Sequence, residues 1–581
     1  MAVHSQAVLG CESAPCPGAT TGPGAAATWL AWADRWSATA ALIVGVAVLR
    51  LVYLAFFSPY ALIEDEAHYW EWSRHLDWSY YSKGPGIAWA IAGGTALVGD
   101  TELGVRLPAV LLAALGALGV AGLAWDVARD RRCAFIAAAC WFLSPLFQIS
   151  ALLGTIDMPY ASCWALGAWA GWRALQRRSR WGWIALGLAL GAGFLFKYTM
   201  LLLLPGLVLY ALVRRHRLAV CRAWGIWAAV GLLVMLLGFV PVVLWNARNA
   251  WPTVHHLLGQ IGAVGGDVAR AADSTYSPLW TLEYLGMQIG LIGPALLLAI
   301  YGVVVASRNR DRPTWPGVQF MALCAVPILI FYLLVSFVTR VEGNWTMGGY
   351  ATLLALCGVV VPEAMSDYRA RIERWRANPE RPRPRQGLFR RQPETHRQVA
   401  WHLTLGVGLV LGIASLRLDL IARVPFVGGV IPIGRLTSAR PVAEDVAELK
   451  RVLRDRTDQE PFVIAQHYGR ASQLAFYLPG RPIVYCSSSL MHGRRTQFDY
   501  WAQTDLGNLA RLGGRPAVLV GSPAPKWAPA FARVEPIGPL VHDHKKGRFV
   551  SFGYAYRGFP KTGEERAGED HAGEEPRGVG P

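Results

Sequence analysis

"ATAALIVGVAVLRLVYLAFF" (residues 38–57) is an apolar stretch long enough to cross a lipid bilayer as one helix. Similar stretches recur through the first two thirds of the 581-residue chain, for example at 224–245. The whole sequence is 53% hydrophobic and only 16% charged. This pattern predicts a polytopic α-helical membrane protein, with room for one further domain after the last span.

Eleven transmembrane helices are predicted from the positions of the apolar stretches. They lie at approximately 38–57, 107–128, 133–153, 159–175, 181–196, 198–213, 224–245, 284–305, 317–338, 346–363 and 400–417. A further apolar segment at 86–99 is short and rich in glycine, so we expect it to lie as a helix at the membrane surface.

Arginines cluster in alternate connections between these predicted spans. The clusters lie at 129–132, 173–180, 214–217, 308–312 and 366–398, after the second, fourth, sixth, eighth and tenth spans. Because basic loops stay in the cytoplasm, the remaining connections are predicted to face outward. The same distribution explains the net charge of +17 and argues against nucleic-acid binding.

The predicted spans divide the chain into regions. These are a disordered cytoplasmic tail at 1–36, a transmembrane domain at 37–418 with a first outer loop at 58–106, a basic cytoplasmic loop at 366–398, an extracytoplasmic domain at 430–558 and a disordered acidic tail at 559–581. The extracytoplasmic domain is predicted to be a small α/β domain, because apolar strand patterns alternate with helical ones there. Its predicted strands are 462–466, 483–486, 517–520 and 549–556, and its predicted helices are 442–453 and 470–477.

The outward connections hold a small set of ionisable residues. They include Asp65, Glu66, Lys83, Asp157, Lys197, Arg248, Arg270, Arg340 and Glu342, with Tyr69 and Tyr81 in the same segments. Ionisable groups are costly at membrane depth, so their presence on one face predicts a functional site. A carboxylate beside a lysine at the level of the lipid headgroups suits a lipid phosphate and a reacting hydroxyl.

Each of these residues also has a structural interpretation. Asp65 and Glu66 could serve only to stabilise the start of an interfacial helix. Lys83 could be an anchor at the membrane surface, and Asp157 could cap the helix that begins near Pro159. No cluster of His, Cys and acidic residues has a strong metal-binding spacing, so the metal requirement stays open and a divalent cation is one option.

The order of several motifs resembles a known family. They are "EDEAHYWEWSRHLDWSYYSKGPGIAW" (64–89), "LLGTIDMPY" (152–160), "VVLWNARNAW" (242–251) and "RVEGNW" (340–345). Together they resemble the membrane glycosyltransferases of the GT-C fold, in the bacterial branch similar to protein O-mannosyltransferases and lipid A aminoarabinose transferases. The resemblance covers most of residues 50–350.

This resemblance implies an enzyme that moves a sugar from a polyprenyl-phosphate donor to an envelope acceptor on the outer face of the membrane. A single direct displacement predicts inversion at the anomeric carbon. It implies catalytic roles for Asp65 and Glu66. The donor phosphate is expected at Lys83, Lys197 and Arg270, and the substrate at Tyr69, Tyr81, Asp157 and Glu342. Two departures are Lys-Gly-Pro in place of Lys-Pro-Pro, and Ser82 where aminoarabinose transferases carry an acid.

Several alternatives remain after the sequence is considered. The expected location is the bacterial cytoplasmic membrane, with the site and the C-terminal domain outside. The acceptor could be a glycolipid, a polysaccharide or a protein. A lipid or polyprenyl-phosphate-sugar flippase is the alternative function, although no paired halves typical of transporters are visible.

Overall fold

The computed structural model describes residues 33–218, 222–261, 263–267, 276–378, 393–425, 433–545 and 547–560. Residues 36–421 are helical in most of their described part. The α-helices are α1 (Trp36–Phe56), α2 (Glu64–Ser73), α3 (Gly86–Val98), α4 (Glu102–Ala128), α5 (Arg131–Leu143), α6 (Pro145–Ser150), α7 (Asp157–Gln176), α8 (Arg180–Phe196), α9 (Leu203–Val213), α10 (Arg222–Leu237), α11 (Val240–Arg248), α12 (Pro252–Gln260), α13 (Pro278–Ile292), α14 (Pro294–Arg308), α15 (Trp315–Val335), α16 (Met347–Ala377), α17 (Pro393–Leu416) and α18 (Leu418–Ile421). Short 3₁₀ turns at Tyr198–Leu202 and Gly343–Thr346 precede α9 and α16.

Five described helices are long and apolar enough to cross a membrane, or seven if two bent pairs each form one span. All eleven segments predicted as spans are largely helical, but this count of spans is not confirmed. The segment 284–305 is not one straight helix, because α13 and α14 meet at 97°. Gly293 adopts a left-handed φ of 68° and Pro294 cannot donate a backbone hydrogen bond, so the helix breaks there.

Helices of the bundle approach closely where small residues meet. A Cβ atom on Gly358 of α16 would lie 2.6 Å from the carbonyl oxygen of Cys133 in α5. One on Gly119 of α4 would lie 2.9 Å from the backbone nitrogen of Leu166 in α7. Glycine at these positions therefore lets the helix backbones touch, as is typical of membrane bundles.

The C-terminal domain is a five-stranded mixed sheet with helices. Its helices are α19 (Gly434–Thr437), α20 (Ala439–Thr457), α21 (Tyr468–Tyr477), α22 (Leu509–Leu512) and α23 (Ala524–Trp527), and its strands are β1 (Phe462–Ala465), β2 (Val484–Cys486), β3 (Ala517–Val520), β4 (Phe531–Pro539) and β5 (Phe549–Tyr556). The strand order is β2-β1-β3-β5-β4, parallel in β2-β1-β3 and antiparallel in β3-β5-β4.

The α/β class of this domain and its four predicted strands are confirmed, whereas β4 was not predicted. Strand β4 lies at the edge of the sheet and ends at Pro539. Its register shifts between Pro536 and Gly538, and several of its side chains are exposed. A mostly exposed edge strand that contains proline lacks the apolar alternation by which strands are recognised.

The C-terminal domain packs directly on the loop 58–106. Helix α21 lies against α2, and the two elements share a hydrophobic core in which Trp70 and Trp72 are fully buried. Trp70 meets Phe476 edge-on at 4.8 Å. The domain is thus positioned over the end of the helical bundle that holds the acidic segment.

The predicted boundaries of the tails and the basic loop remain predictions. The predicted tails at 1–36 and 559–581 lie mostly outside the described residues. Within the predicted loop 366–398, helix α16 continues to Ala377 and α17 begins at Pro393.

Candidate active site

A cavity of about 590 Å³ opens where the loop 58–106 meets the helical bundle. Its charged lining residues are Asp65, Lys83, Asp157 and Lys197. Its remaining wall is mainly apolar and comes from several helices and turns, including Leu146, Ile149, Leu153, Leu201, Leu202 and Phe331. The cavity therefore combines a group of charged side chains with a hydrocarbon-like surface, as an amphipathic ligand requires.

Asp65 lies in the first turn of α2, where three consecutive acidic residues favour the start of a helix. Its side chain is exposed, but it faces the cavity. The Tyr468 hydroxyl donates a hydrogen bond of 3.3 Å to Asp65 Oδ1. The enclosed surroundings raise the pKa of Asp65, an effect that Lys83 and Tyr468 partly oppose. Asp65 is thus a carboxylate with increased affinity for a proton.

Lys83 is held by the turn that follows the aromatic segment. The backbone N–H of Tyr80 and the hydroxyl of Ser79 both donate to the Lys83 carbonyl oxygen, at 3.0 and 3.2 Å. A Cβ atom on Gly84 would lie 2.4 Å from the carbonyl oxygen of Leu195, so this turn approaches α8 too closely for any side chain there. Burial, with nearby Lys197, lowers the pKa of Lys83 to about 8.

Asp157 and Lys197 form an ion pair within the cavity. Lys197 Nζ lies 2.9 Å from Asp157 Oδ1, and Asn344 Nδ2 donates to Asp157 Oδ2 at 2.7 Å. Asp157 is the first residue of α7, and no side chain caps that helix. The interpretation of Asp157 as a helix cap is therefore wrong, since its carboxylate holds a lysine and an asparagine from two other elements.

Comparison with known proteins identifies relatives that are similar over part of the chain. The family model for dolichyl-phosphate-mannose-protein mannosyltransferases matches residues 82–245. The lipid A galacturonosyltransferase RgtD of Rhizobium johnstonii is 28% identical over 323 residues, which cover 54% of this chain and 64% of RgtD. An undecaprenyl phosphate-alpha-4-amino-4-deoxy-L-arabinose arabinosyl transferase of Pseudomonas fluorescens is 29% identical over 322 residues, which cover 52% of this chain and 55% of that protein. The chain thus spans less than two thirds of the length of these relatives.

A solved structure is similar over almost the whole molecule. ArnT from Cupriavidus metallidurans, crystallised with undecaprenyl phosphate, matches with a TM-score of 0.59 at 19% identity, over 89% of this chain and 98% of ArnT. The chain has the GT-C fold. The resemblance predicted from the motifs is therefore confirmed at the level of the fold.

Within this GT-C fold the two adjacent acids of α2 occupy different environments. Glu66 is fully buried and does not line the cavity. Arg106 donates from Nε to Glu66 Oε1 at 2.8 Å and from Nη2 to Oε2 at 2.9 Å. The backbone N–H groups of Gly154 and Ile63 complete its shell at 2.7 and 3.0 Å. Both oxygens of Glu66 are thus occupied by protein donors, which favours a positioning role over the predicted catalytic role.

Of the other predicted site residues, only some line the cavity. Tyr69 lines the cavity. Tyr81 does not, since its hydroxyl donates to Asp267 and its N–H donates to Gln497. Glu342 is exposed outside the cavity, and Arg270 lies outside the described residues. Of the predicted set, the structure brings Asp65, Tyr69, Lys83, Asp157 and Lys197 together in the GT-C cavity.

Two residues of the C-terminal domain reach the site without having been predicted. Tyr468 contacts Asp65, and the Arg494 guanidinium lies 5.0 Å from the centre of the Tyr468 ring. No local pattern marks either residue, because their proximity to Asp65 arises only when α21 docks on α2. Among the residues that the structure describes, no group of three or more His, Cys, Asp or Glu side chains is arranged so that it could hold a metal ion.

Proposed function

We propose that this protein is an integral membrane glycosyltransferase that moves a sugar from a polyprenyl phosphate to an envelope acceptor. The observation that carries the proposal is the lining of the cavity, which combines the charged side chains of Asp65 and Lys83 with a mainly apolar wall. A polyprenyl-phosphate sugar combines the same kinds of group, namely a hydrocarbon chain, a phosphate and a sugar. The RgtD and arabinosyl transferase relatives, by their names, transfer sugars, and the matching ArnT structure contains undecaprenyl phosphate.

In the proposed binding mode the prenyl chain lies along the apolar wall and the phosphate contacts Lys83. Lysine binds phosphate as a point charge. Lys197 is a weaker candidate for this role than predicted, because Asp157 already neutralises it. Lys83 is therefore the principal cation for the leaving phosphate, and it stabilises the negative charge that grows as the glycosidic bond breaks.

The reaction is a single displacement at the anomeric carbon. The acceptor hydroxyl oxygen forms a bond to this carbon while the bond from carbon to phosphate oxygen breaks, and the electron pair leaves with polyprenyl phosphate. Asp65 accepts the hydroxyl proton as general base, for which its raised pKa is suited. An acceptor phosphate, already ionised, would need only orientation by Asp65. One displacement inverts the configuration at the anomeric carbon.

The proposal extends to location and partners. The protein is placed in the bacterial cytoplasmic membrane, with the cavity and the C-terminal domain on the outer side, as the arginine distribution predicts. The acceptor class is a glycolipid such as lipid A, for which the name of RgtD is the support. Polysaccharide and protein acceptors are the alternatives.

The test uses purified protein in nanodiscs with a panel of polyprenyl-phosphate sugars and an envelope lipid extract. Transfer is followed by mass spectrometry, with Asp65→Asn in parallel and Asp77→Asn, in the same loop but outside the cavity, as a matched control. We expect transfer by the wild type and the control, and none by Asp65→Asn. Near-normal turnover by Asp65→Asn, or a product that retains configuration, would contradict the mechanism. Lipid movement across liposomes without any transfer would favour a flippase.

A further inference from the structure

Helix α12 contributes one polar side chain to the wall of the cavity. Gln260, its last residue, lines the cavity beside the apolar Leu257 and Ile261. Gln260 Nε2 lies 3.0 Å from Nε2 of His256, which is buried one helical turn earlier and does not line the cavity. Among the residues that the structure describes, no donor is paired with Gln260 Oε1. One end of the amide is therefore fixed by the protein, and the other is available to a ligand.

The ring hydrogen of His256 is placed by Asp267. His256 Nδ1 lies 3.6 Å from Asp267 Oδ1, and within the described part of the chain both atoms are buried without a hydrogen-bond partner. A carboxylate only accepts, so the ring hydrogen belongs on Nδ1. Burial and the nearby Lys83 hold the pKa of His256 below its usual range, which keeps the ring neutral at neutral pH. His256 Nε2 therefore carries no hydrogen and accepts one from Gln260.

Asp267 is itself positioned by two parts of the chain. Its backbone N–H donates to the His255 carbonyl oxygen at 3.1 Å, so the segment after α12 folds back onto that helix. Gly266 has no room for a Cβ atom, because it lies against the backbone of Gly259. From the loop 58–106, the Tyr81 hydroxyl donates to Asp267 Oδ2. Tyr81, predicted to bind substrate, thus holds a residue that lies behind the cavity wall.

Helix α12 is also tied to the turn that carries Lys83. Thr253 of α12 donates from Oγ1 to the Tyr80 carbonyl oxygen at 3.2 Å. The backbone N–H of Tyr80 in turn donates to the Lys83 carbonyl oxygen. In the proposed binding mode Lys83 contacts the donor phosphate, so we expect α12 to flank the sugar that is attached to this phosphate.

We propose that Gln260 Oε1 accepts a hydrogen bond from one hydroxyl of the donor sugar, and that His256 is the positioning residue that fixes the direction of the Gln260 amide. This inference rests on the glycosyltransferase function proposed above. An unrestrained amide could turn and present either end, whereas a ring nitrogen without hydrogen pairs only with the amide nitrogen. Neither the ionised phosphate nor the prenyl chain can donate to Oε1, but a sugar hydroxyl can. Gln260 thus selects for a hydroxyl at one position of the sugar ring.

The test uses the polyprenyl-phosphate sugar that supports transfer in the panel above, together with its monodeoxy analogues, in which each ring hydroxyl in turn is replaced by hydrogen. Gln260→Met should lower kcat/KM for the parent sugar about 3- to 10-fold, the range expected for loss of one neutral hydrogen bond. For one analogue Gln260→Met should cause no further loss, because the hydroxyl that Gln260 binds is already absent. For the other analogues the loss should match that for the parent.

His256→Phe tests the positioning role. Phenylalanine keeps a ring of similar size but offers no acceptor to the Gln260 amide, which is then free to turn. This variant should therefore show its loss at the same hydroxyl as Gln260→Met, although His256 does not line the cavity. Gln459→Met makes the same replacement at an exposed glutamine of the C-terminal domain and is the matched control, with wild-type kcat/KM expected for every donor.

An equal loss for every donor in Gln260→Met, or no loss for any, would overturn the inference, because neither result distinguishes one hydroxyl from the others. A loss that disappears with a monodeoxy acceptor instead of a monodeoxy donor would also overturn it and assign Gln260 to the acceptor. Wild-type selectivity in His256→Phe would overturn the positioning role. Absence of transfer from every donor by the wild type would instead overturn the proposed function, and this inference with it.

Discussion

The hydroxyl of Tyr468, in the C-terminal domain, donates a hydrogen bond to Oδ1 of Asp65, in the loop 58–106, at 3.3 Å across 403 positions of sequence. This contact makes the C-terminal domain part of the candidate site. It also orients one oxygen of Asp65, which leaves the other free to face the cavity. The domain therefore contributes a hydrogen-bond donor to the candidate site as well as covering the bundle.

Replacement of Tyr468 by phenylalanine removes this hydrogen bond while keeping the ring under Arg494. Because the hydrogen bond lowers the pKa of Asp65, its loss should raise that pKa further. We expect the acidic limb of the activity profile to move to higher pH, with a several-fold lower rate at pH below that limb. The measurement is kcat/KM against pH. An unchanged acidic limb would show that Tyr468 does not act on Asp65.

The pH dependence of the wild type should be bell-shaped. Asp65 must be deprotonated to act as base, and its pKa is raised, so activity should rise with pH through a value above that of an ordinary aspartate. Lys83 must be protonated, and its pKa is about 8, so kcat/KM should fall as the pH rises through about 8. Bound phosphate stabilises the lysine charge, so the alkaline limb of kcat should lie at higher pH.

Lys83→Arg tests the assignment of this alkaline limb. Arginine keeps its charge over the whole accessible range. The variant should lose the fall near pH 8 even if its maximal rate is lower. An alkaline limb that stays near pH 8 in Lys83→Arg would assign the limb to another group.

Glu66 is expected to contribute to the folding stability of the protein more than to catalysis. Glu66→Ala leaves the buried Arg106 without its carboxylate, and loss of one partner of a buried pair costs about 3–5 kcal/mol. We expect a clear fall in the thermal denaturation midpoint in detergent. Glu448→Ala, which removes an exposed pair with Arg451, should cost at most about 1 kcal/mol. A stable but inactive Glu66→Ala protein would restore the predicted catalytic role of this residue.

The pair of Asp157 and Lys197 can be separated into structural and binding contributions by a double-mutant cycle. Asp157→Asn and Lys197→Met should each lower stability, because each leaves the other residue of the pair as an unpaired charge. The double variant removes both charges and should therefore recover part of the lost stability. Affinity for polyprenyl phosphate is measured on the same three variants. If both variants that lack Lys197 bind polyprenyl phosphate more weakly while Asp157→Asn binds it normally, Lys197 would be assigned to the phosphate-binding site as predicted.

Much of the fold could be predicted from local patterns. Long apolar stretches such as 38–57 gave helices, and the buried strands of the C-terminal domain were predicted because their residues are uniformly apolar. The break at Gly293 was missed, since an apolar helix pair and a single span have the same composition. Strand β4 was missed because its exposed edge position removes the apolar pattern.

The candidate site was predicted less completely. Asp65, Lys83, Asp157 and Lys197 were named, and the structure places them in one cavity. The ion pair that occupies Lys197 was not predicted, because the partners are 40 positions apart. Tyr468 and Arg494 could not be predicted at all, since no spacing in their own segment relates them to Asp65.

The sequence by itself determined that this is a helical membrane protein with a small α/β domain, because hydrophobicity and its periodicity are local properties. It also predicted that Asp65, Lys83, Asp157 and Lys197 belong to one site, and the structure places these four in one cavity. Only the tertiary structure decided their separate roles. Asp65 and Glu66 are adjacent in the chain, but successive helical residues point about 100° apart. One carboxylate therefore faces the cavity and the other faces Arg106, and the choice between them is made by the packing of α2 against α4 and α21.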